Sequence, residues 1–170
     1  MRSLDHPVRP VPESITAWRI TQAQYQDTAF TGEGAKRYGG RFNSVGVPVV
    51  YTAASMALAT LELLVRVNHR KHLDAYVRIP ARFSPDHVTE PDTLPGGWDA
   101  LPYGPTSQAV GDEWVLSEQS LVLKVPSVVE PLESNYLINP QHPNFDALDI
   151  GEPTPLRLDP RLRNVPPDAG

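Results

Sequence analysis

The chain has 170 residues, 15 Lys and Arg against 20 Asp and Glu for a formal charge of −5, 19 prolines and no cysteine. The length suits one domain with its own core, and the missing cysteines exclude disulfides, Cys-based zinc and iron–sulfur sites and thiol catalysis. The acidic balance argues against direct binding to nucleic acid, which calls for a basic surface.

The prolines set the frame for the elements. Pro7, Pro10 and Pro12 lie near the start, Pro48 stands alone between 13 and 79, and fifteen fall from Pro80 onward. Proline removes a backbone donor and stops helices, so the long regular elements belong to the middle of the chain. In chain order, Thr16–Ile20 reads as a short strand. Residues 31–46 hold five of the eleven glycines and read as a loop that bends tightly or approaches a ligand. Val47–Thr52, β-branched and apolar, reads as a buried strand. Residues 54–67 lack Gly and Pro and read as a helix, capped by Thr52 or Ser55. Residues 75–81 alternate as a strand. Residues 107–117 suggest a short helix carrying Trp114. Residues 120–129 suggest a strand that bends or lies at an edge at Pro126, and Tyr136–Pro140 a strand closing the sheet. The fold class is mixed α/β in one compact domain without a regular βαβ repeat. Its bounds are drawn at 16–150, with an N-terminal extension at 1–15 and a proline-rich tail at 151–170 that has little to bury. Residues 1–16 lack an apolar stretch of signal-peptide length and no apolar run reaches 18 residues, so the protein is expected in the cytoplasm, off the membrane.

Two candidates carry chemistry. The glycine segment fails the dinucleotide fingerprint, because position 37 is Arg, and it lacks the Gly-Lys-Ser/Thr of a P-loop. It offers Gly39-Gly40-Arg41-Phe42-Asn43, where backbone N–H groups and a forked guanidinium suit an anion; a tight turn with a surface Arg fits equally well. Glu62 lies in a helix apolar nearly all round, where a carboxylate is costly unless paired or set at a cavity. The plainer reading pairs it with Arg66 for about 0.3–0.5 kcal/mol. Ser127 follows Pro126 in an apolar strand without the Gly-x-Ser-x-Gly elbow of a hydrolase. His6, His69, His72, His87 and His142 show no metal-ligand spacing, so no metal is expected. Trp18, Trp98 and Trp114 read as core or loop anchors.

Taken in order, Trp18-Arg19-Ile20, Gly39-Gly40-Arg41-Phe42-Asn43, Val49–Ala53 leading into Ala57–Glu62, Val125-Pro126-Ser127 and Glu133–Pro140 with His142-Pro143 resemble the RES domain family. The family is named for an Arg, a Glu and a Ser, here Arg41, Glu62 and Ser127. The likeness spans roughly residues 16–150; Phe42 stands where the family more often has Trp. The resemblance implies a fold similar to ADP-ribosyltransferases, with short-stranded split sheets around an NAD cleft. It implies a bacterial toxin that degrades NAD⁺ by hydrolysis or phosphorolysis, with phosphate as co-substrate in the second case and no bound prosthetic group. The implied partner is a DNA-binding Xre-type antitoxin that occludes the cleft, and a homodimer is compatible with the family. Arg41, Glu62 and Tyr51 would be catalytic; Arg19, Gly40, Asn43, Ser127 and Asn135 would bind or orient NAD⁺. Two other readings stay open: transfer of ADP-ribose to a cellular protein, and an antitoxin-binding module without catalysis.

Overall fold

A computed structural model describes residues 13–68 and 70–163. Most of the extension assigned to 1–15, together with His6, His69 and residues 164–170, lies outside the described residues. The fold is a mixed α/β domain on one curled sheet. Strand β1 (Ile15–Gln22) pairs antiparallel along its whole length with β3 (Tyr76–Phe83), from Ile15 opposite Phe83 to Gln22 opposite Tyr76. Strand β2 (Val50–Ala53) pairs with β6 (Ser134–Ile138), which pairs in turn with β5 (Val122–Pro126). The two-residue β4 (Val88–Thr89) adds to β5 in parallel. At the other end β7 (Asp149–Ile150) and β8 (Thr154–Pro155) both pair with β3.

The two halves of this sheet meet between β1 and β2 through one residue pair, Trp18 opposite Ala53. The split-sheet arrangement expected above is therefore present as two ladders sharing a narrow seam. The reason lies in the pairing: all eight residues of β1 match β3, while the four of β2 match β6. One core cluster fills one side, with Ala17, Val50, Ile79, Ala81, Leu121, Val122 and Ile138 buried. A second lies under α3 (Pro105–Ser117), where Trp114 and Val115 meet Phe42, Val49, Leu123, Val125 and Leu137.

Several elements differ from their expected form. The glycine segment contains a one-and-a-half-turn helix, α1 (Glu33–Tyr38), bracketed by Gly32 and Gly39 at φ 73° and 74°, where only glycine is unstrained. The strand expected from Val47 begins at Val50, after the proline at 48 that cannot donate to a ladder. Helix α2 (Met56–Leu64) is capped by Ser55, whose Oγ accepts the Leu58 N–H at 3.1 Å. It is half-buried rather than buried all round: Leu58, Ala59, Leu63 and Leu64 face inward, and Leu61 is 45% exposed. Strand β5 is one in from the edge and its ladder stops at Pro126, opposite Ser134. Strand β6 lies inside the sheet rather than closing it, with β5 and β2 on its flanks. Residues 149–156 run back along β3, and Leu156 is buried against Leu63, Leu64 and Leu73. One leucine at the right place gives this proline-rich segment an anchor on α2.

Candidate active site

Glu62, Ser127 and Asn135, 65 and 73 residues apart in sequence, meet at one carboxylate oxygen. Glu62 Oε1 accepts from Ser127 Oγ at 2.8 Å and from Asn135 Nδ2 at 2.8 Å. Helix α2 supplies the carboxylate, the turn that ends β5 supplies the hydroxyl, and β6 supplies the amide. Ser127 is fully buried, and its Oγ also accepts the Val129 and Glu130 N–H groups at 3.0 and 3.2 Å. With two N–H donors already on its oxygen, the hydroxyl proton is directed to Glu62. Glu62 Oε2 accepts no hydrogen bond among the described residues. The pair with Arg66 takes a different form from the one expected: Arg66 Nε donates to the Glu62 backbone carbonyl at 3.1 Å, and the carboxylate turns to Ser127 and Asn135.

The glycine loop is organised by Tyr51. Its hydroxyl donates to Asn43 Oδ1 at 2.7 Å and accepts the Phe42 N–H at 3.0 Å. Burial pushes the phenol well above its usual value of about 10; the Phe42 N–H opposes this, Tyr103 and Asp112 add to it, and Arg41 opposes it. The hydroxyl thus stays protonated and committed to the loop, leaving the ring as the part that can meet a ligand. Asn43 is fully buried and spends Nδ2 on the carbonyls of Ala35, Ser44 and Val47. A Cβ on Gly40 would stand 2.7 Å from both Asn43 Oδ1 and Tyr51 Oη, so this position has room for hydrogen only. Gly40 and Asn43 therefore shape the loop that presents Arg41.

Arg41 Nη1 donates to the carbonyls of Trp98 and Ala100 at 2.8 and 2.9 Å, and its guanidinium carbon lies 5.7 Å from the Tyr103 ring centroid. Nε and Nη2 have no partner among the described residues, which leaves two fixed donors for an anion. Arg19, on β1, donates from Nη1 to the Tyr51 carbonyl at 3.0 Å, and its Nε is buried without a partner. Burial, and then the charge of Arg66, lower its pKa to about 10, so it remains cationic at neutral pH. No carboxylate pairs with it among the described residues. A cation held this way favours an anionic ligand.

Register relates these groups. Tyr51 faces Leu137 and Ala53 faces Asn135, so Tyr51 and Asn135 lie diagonally on one face of the β2–β6 ladder. Tyr51 thus bonds the Arg41 loop through its hydroxyl and has Asn135, a donor to Glu62, as its diagonal neighbour. No direct bond joins Arg41 to Glu62 among the described residues.

Other supports went unread in the sequence. Asp112 accepts from Ser44 N and Oγ at 2.8 and 2.6 Å, and Gln108 Nε2 donates to the carbonyls of Gly40 and Asn43, both at 3.2 Å. Gly111, in the middle of α3, has the Phe42 carbonyl packed where a Cβ would be. A glycine inside a helix is a cue for such a close approach; the acceptors of Arg41 are backbone carbonyls, which leave no trace in side-chain identity. Among the described residues no group of three or more His, Asp or Glu is placed to hold a metal ion, and no helix is long and apolar enough to cross a membrane.

The model of the RES domain family matches residues 16–159. The chain is 41% identical over 152 residues to the Prs ADP-ribosylating toxin of Sphingobium sp. (strain YBL2), covering 85% of this chain and 94% of that protein. It is 36% identical over 149 residues to Toxin Res of Yersinia enterocolitica, covering 86% and 98%. In fold it is similar to a chain in the crystal structure of the M. tuberculosis MbcT-MbcA toxin-antitoxin complex, with a TM-score of 0.69, 21% identity and 86% of each chain covered.

Proposed function

The chain belongs to the RES domain family, and from that premise we propose that it is the toxin of a bacterial toxin–antitoxin pair and cleaves the nicotinamide–ribose bond of NAD⁺. The observation that carries the reading is the half-engaged carboxylate of Glu62, with Oε1 fixed by two donors and Oε2 open. Breaking the glycosidic bond sends its electron pair to nicotinamide, which leaves neutral, and positive charge grows on the ribose C1′ and ring oxygen. A fixed carboxylate beside that ribose stabilises the charge as it develops. Ser127 and Asn135 hold the carboxylate in place, so little reorganisation accompanies the reaction. Water or phosphate then bonds to C1′ and gives up a proton to solvent, yielding ADP-ribose or its phosphate ester. Arg41 and Arg19 take the diphosphate, and the Tyr51 ring packs against the nicotinamide riboside. NAD⁺ is the substrate here, not a resident cofactor.

A second reading is favoured by the name of the Sphingobium relative, an ADP-ribosylating toxin. The same cleft would then deliver ADP-ribose to a nucleophile of a cellular protein. A DNA-binding antitoxin of the Xre type would restrain either activity by covering the cleft and offering a carboxylate to Arg41 or Arg19. Purified protein incubated with NAD⁺, with and without phosphate, and followed by nicotinamide release tests the first reading. No release under either condition, with a cell extract present or absent, refutes both. Label from NAD⁺ retained on a protein band in extract, without free ADP-ribose, selects the second.

A further inference from the structure

The segment between β4 and α3 is built onto Arg41. Trp98 stacks on Phe42 at 6.3 Å between ring centroids and 23° between planes. The segment closes on itself through Trp98 N to the Pro95 carbonyl and Ala100 N to the Gly97 carbonyl, at 3.2 and 3.1 Å. Its carbonyls at 98 and 100 hold Arg41 Nη1. At its end Tyr103 lies over the Arg41 guanidinium, immediately before the Gly104 cap and Pro105 that start α3. Tyr103 is 44% exposed. One side of its ring is occupied by a cation, and much of the rest is open to solvent.

Resting on the NAD⁺ reading above, we propose that Tyr103 is the stacking platform for the adenine ring of the dinucleotide and so determines preference for adenine-bearing substrates. Three observations assign the adenine end to it. Arg41, the anion-holding group, is beside it, and in a dinucleotide each base lies one ribose away from the diphosphate. The Arg41 loop meets Tyr51 at its hydroxyl, through the Phe42 N–H, whereas Asn135, which holds Glu62, is the diagonal neighbour of Tyr51 on the β2–β6 ladder. If Glu62 takes the nicotinamide riboside, the other base falls on the Tyr103 side. An arginine stacked behind an aromatic ring also fixes that ring, so a base gains a rigid surface at little entropic cost.

The test compares wild-type, Tyr103→Phe and Tyr103→Ala proteins on NAD⁺ and on nicotinamide mononucleotide, which lacks the adenosine. Tyr103→Ala should raise KM for NAD⁺ about tenfold, as expected for one lost base–aromatic stack. The loss in kcat/KM on the mononucleotide should be much smaller, and Tyr103→Phe should restore the NAD⁺ value. Equal losses on both substrates would mean that the ring only steadies Arg41, and an unchanged KM would mean that adenine binds elsewhere; either overturns the proposal. Absence of nicotinamide release by the wild type would instead overturn the NAD⁺ reading itself, and this one with it.

Discussion

Ser127→Ala separates the two duties of one buried hydroxyl. The substitution deletes one buried oxygen that donates to Glu62 and accepts the Val129 and Glu130 N–H groups. The bond to an ionised partner is the stronger of the three, and the two N–H groups lie in a half-buried turn that water can reach. The expected cost is about 2 kcal/mol, which for a chain of this length lowers Tm by about 4–8 °C. Asn135 still holds Oε1, so catalysis should fall by about tenfold rather than collapse. Adding Asn135→Leu removes the last donor, and the double variant should approach the loss from Glu62→Gln, about 10²–10³-fold in kcat. The two single losses should not add simply, since both act on one oxygen. The assays are thermal unfolding and nicotinamide release at saturating NAD⁺. A Ser127→Ala protein that melts lower but keeps full kcat would refute the reasoning, because the hydroxyl would then be serving the turn alone.

Other outcomes follow from the same geometry. Gly40→Ala should cost about 1–3 kcal/mol by forcing Asn43 and Tyr51 apart, and its denaturant midpoint should fall together with NAD⁺ affinity; an unchanged midpoint would contradict the close packing. Arg41→Lys loses the planar fork that reaches two carbonyls and an anion at once, so KM for NAD⁺ should rise by about tenfold or more while the melting temperature moves little. Tyr51 holds its proton more tightly folded than unfolded, so the unfolded chain gains on ionising above its usual value of about 10. The stability advantage of the wild type over Tyr51→Phe should therefore shrink as pH rises past that value, and an advantage that grows there would mean that the phenol is not desolvated. In cells, expression of the wild type should arrest growth and Glu62→Ala should not; equal arrest would favour a non-catalytic binding module.

Much of this was legible beforehand because it rests on composition and order. The proline-poor middle does supply β2 and α2, with Tyr51 and Glu62 on them, but the expectation that the long elements lie there fails: the 13-residue α3 starts at Pro105, where proline suits a first turn, and β3 runs through Pro80. The structure brings Glu62, Ser127 and Asn135 of the ordered motifs to one carboxylate oxygen, and joins Tyr51 to the Phe42–Asn43 loop, since each motif carries its own side chain. What stayed hidden were contacts that side-chain identity does not encode. The acceptors of Arg41 are carbonyls, and Asp112 and Gln108 sit on a helix whose sequence gave only Trp114 as a landmark. Leu156 is hidden for a different reason: one leucine among prolines is weak in composition yet packs on the buried Leu63 and Leu64 of α2.

The seam at Trp18 and Ala53 bears on how the molecule behaves as a machine. Arg19 belongs to the β1–β3 ladder, whereas Tyr51 and Asn135 belong to the β2–β6–β5 ladder. A diphosphate that touches Arg19 while its riboside rests on Tyr51 would add a cross-link between two ladders that pair at one position and are otherwise joined by a shared core cluster and the Arg19 bond to the Tyr51 carbonyl. Substrate would then stiffen the whole sheet, and amides on both sides of the seam should slow together in hydrogen exchange when it binds. A partner that levers the seam, without entering the cleft at all, would have the opposite effect on the same amides.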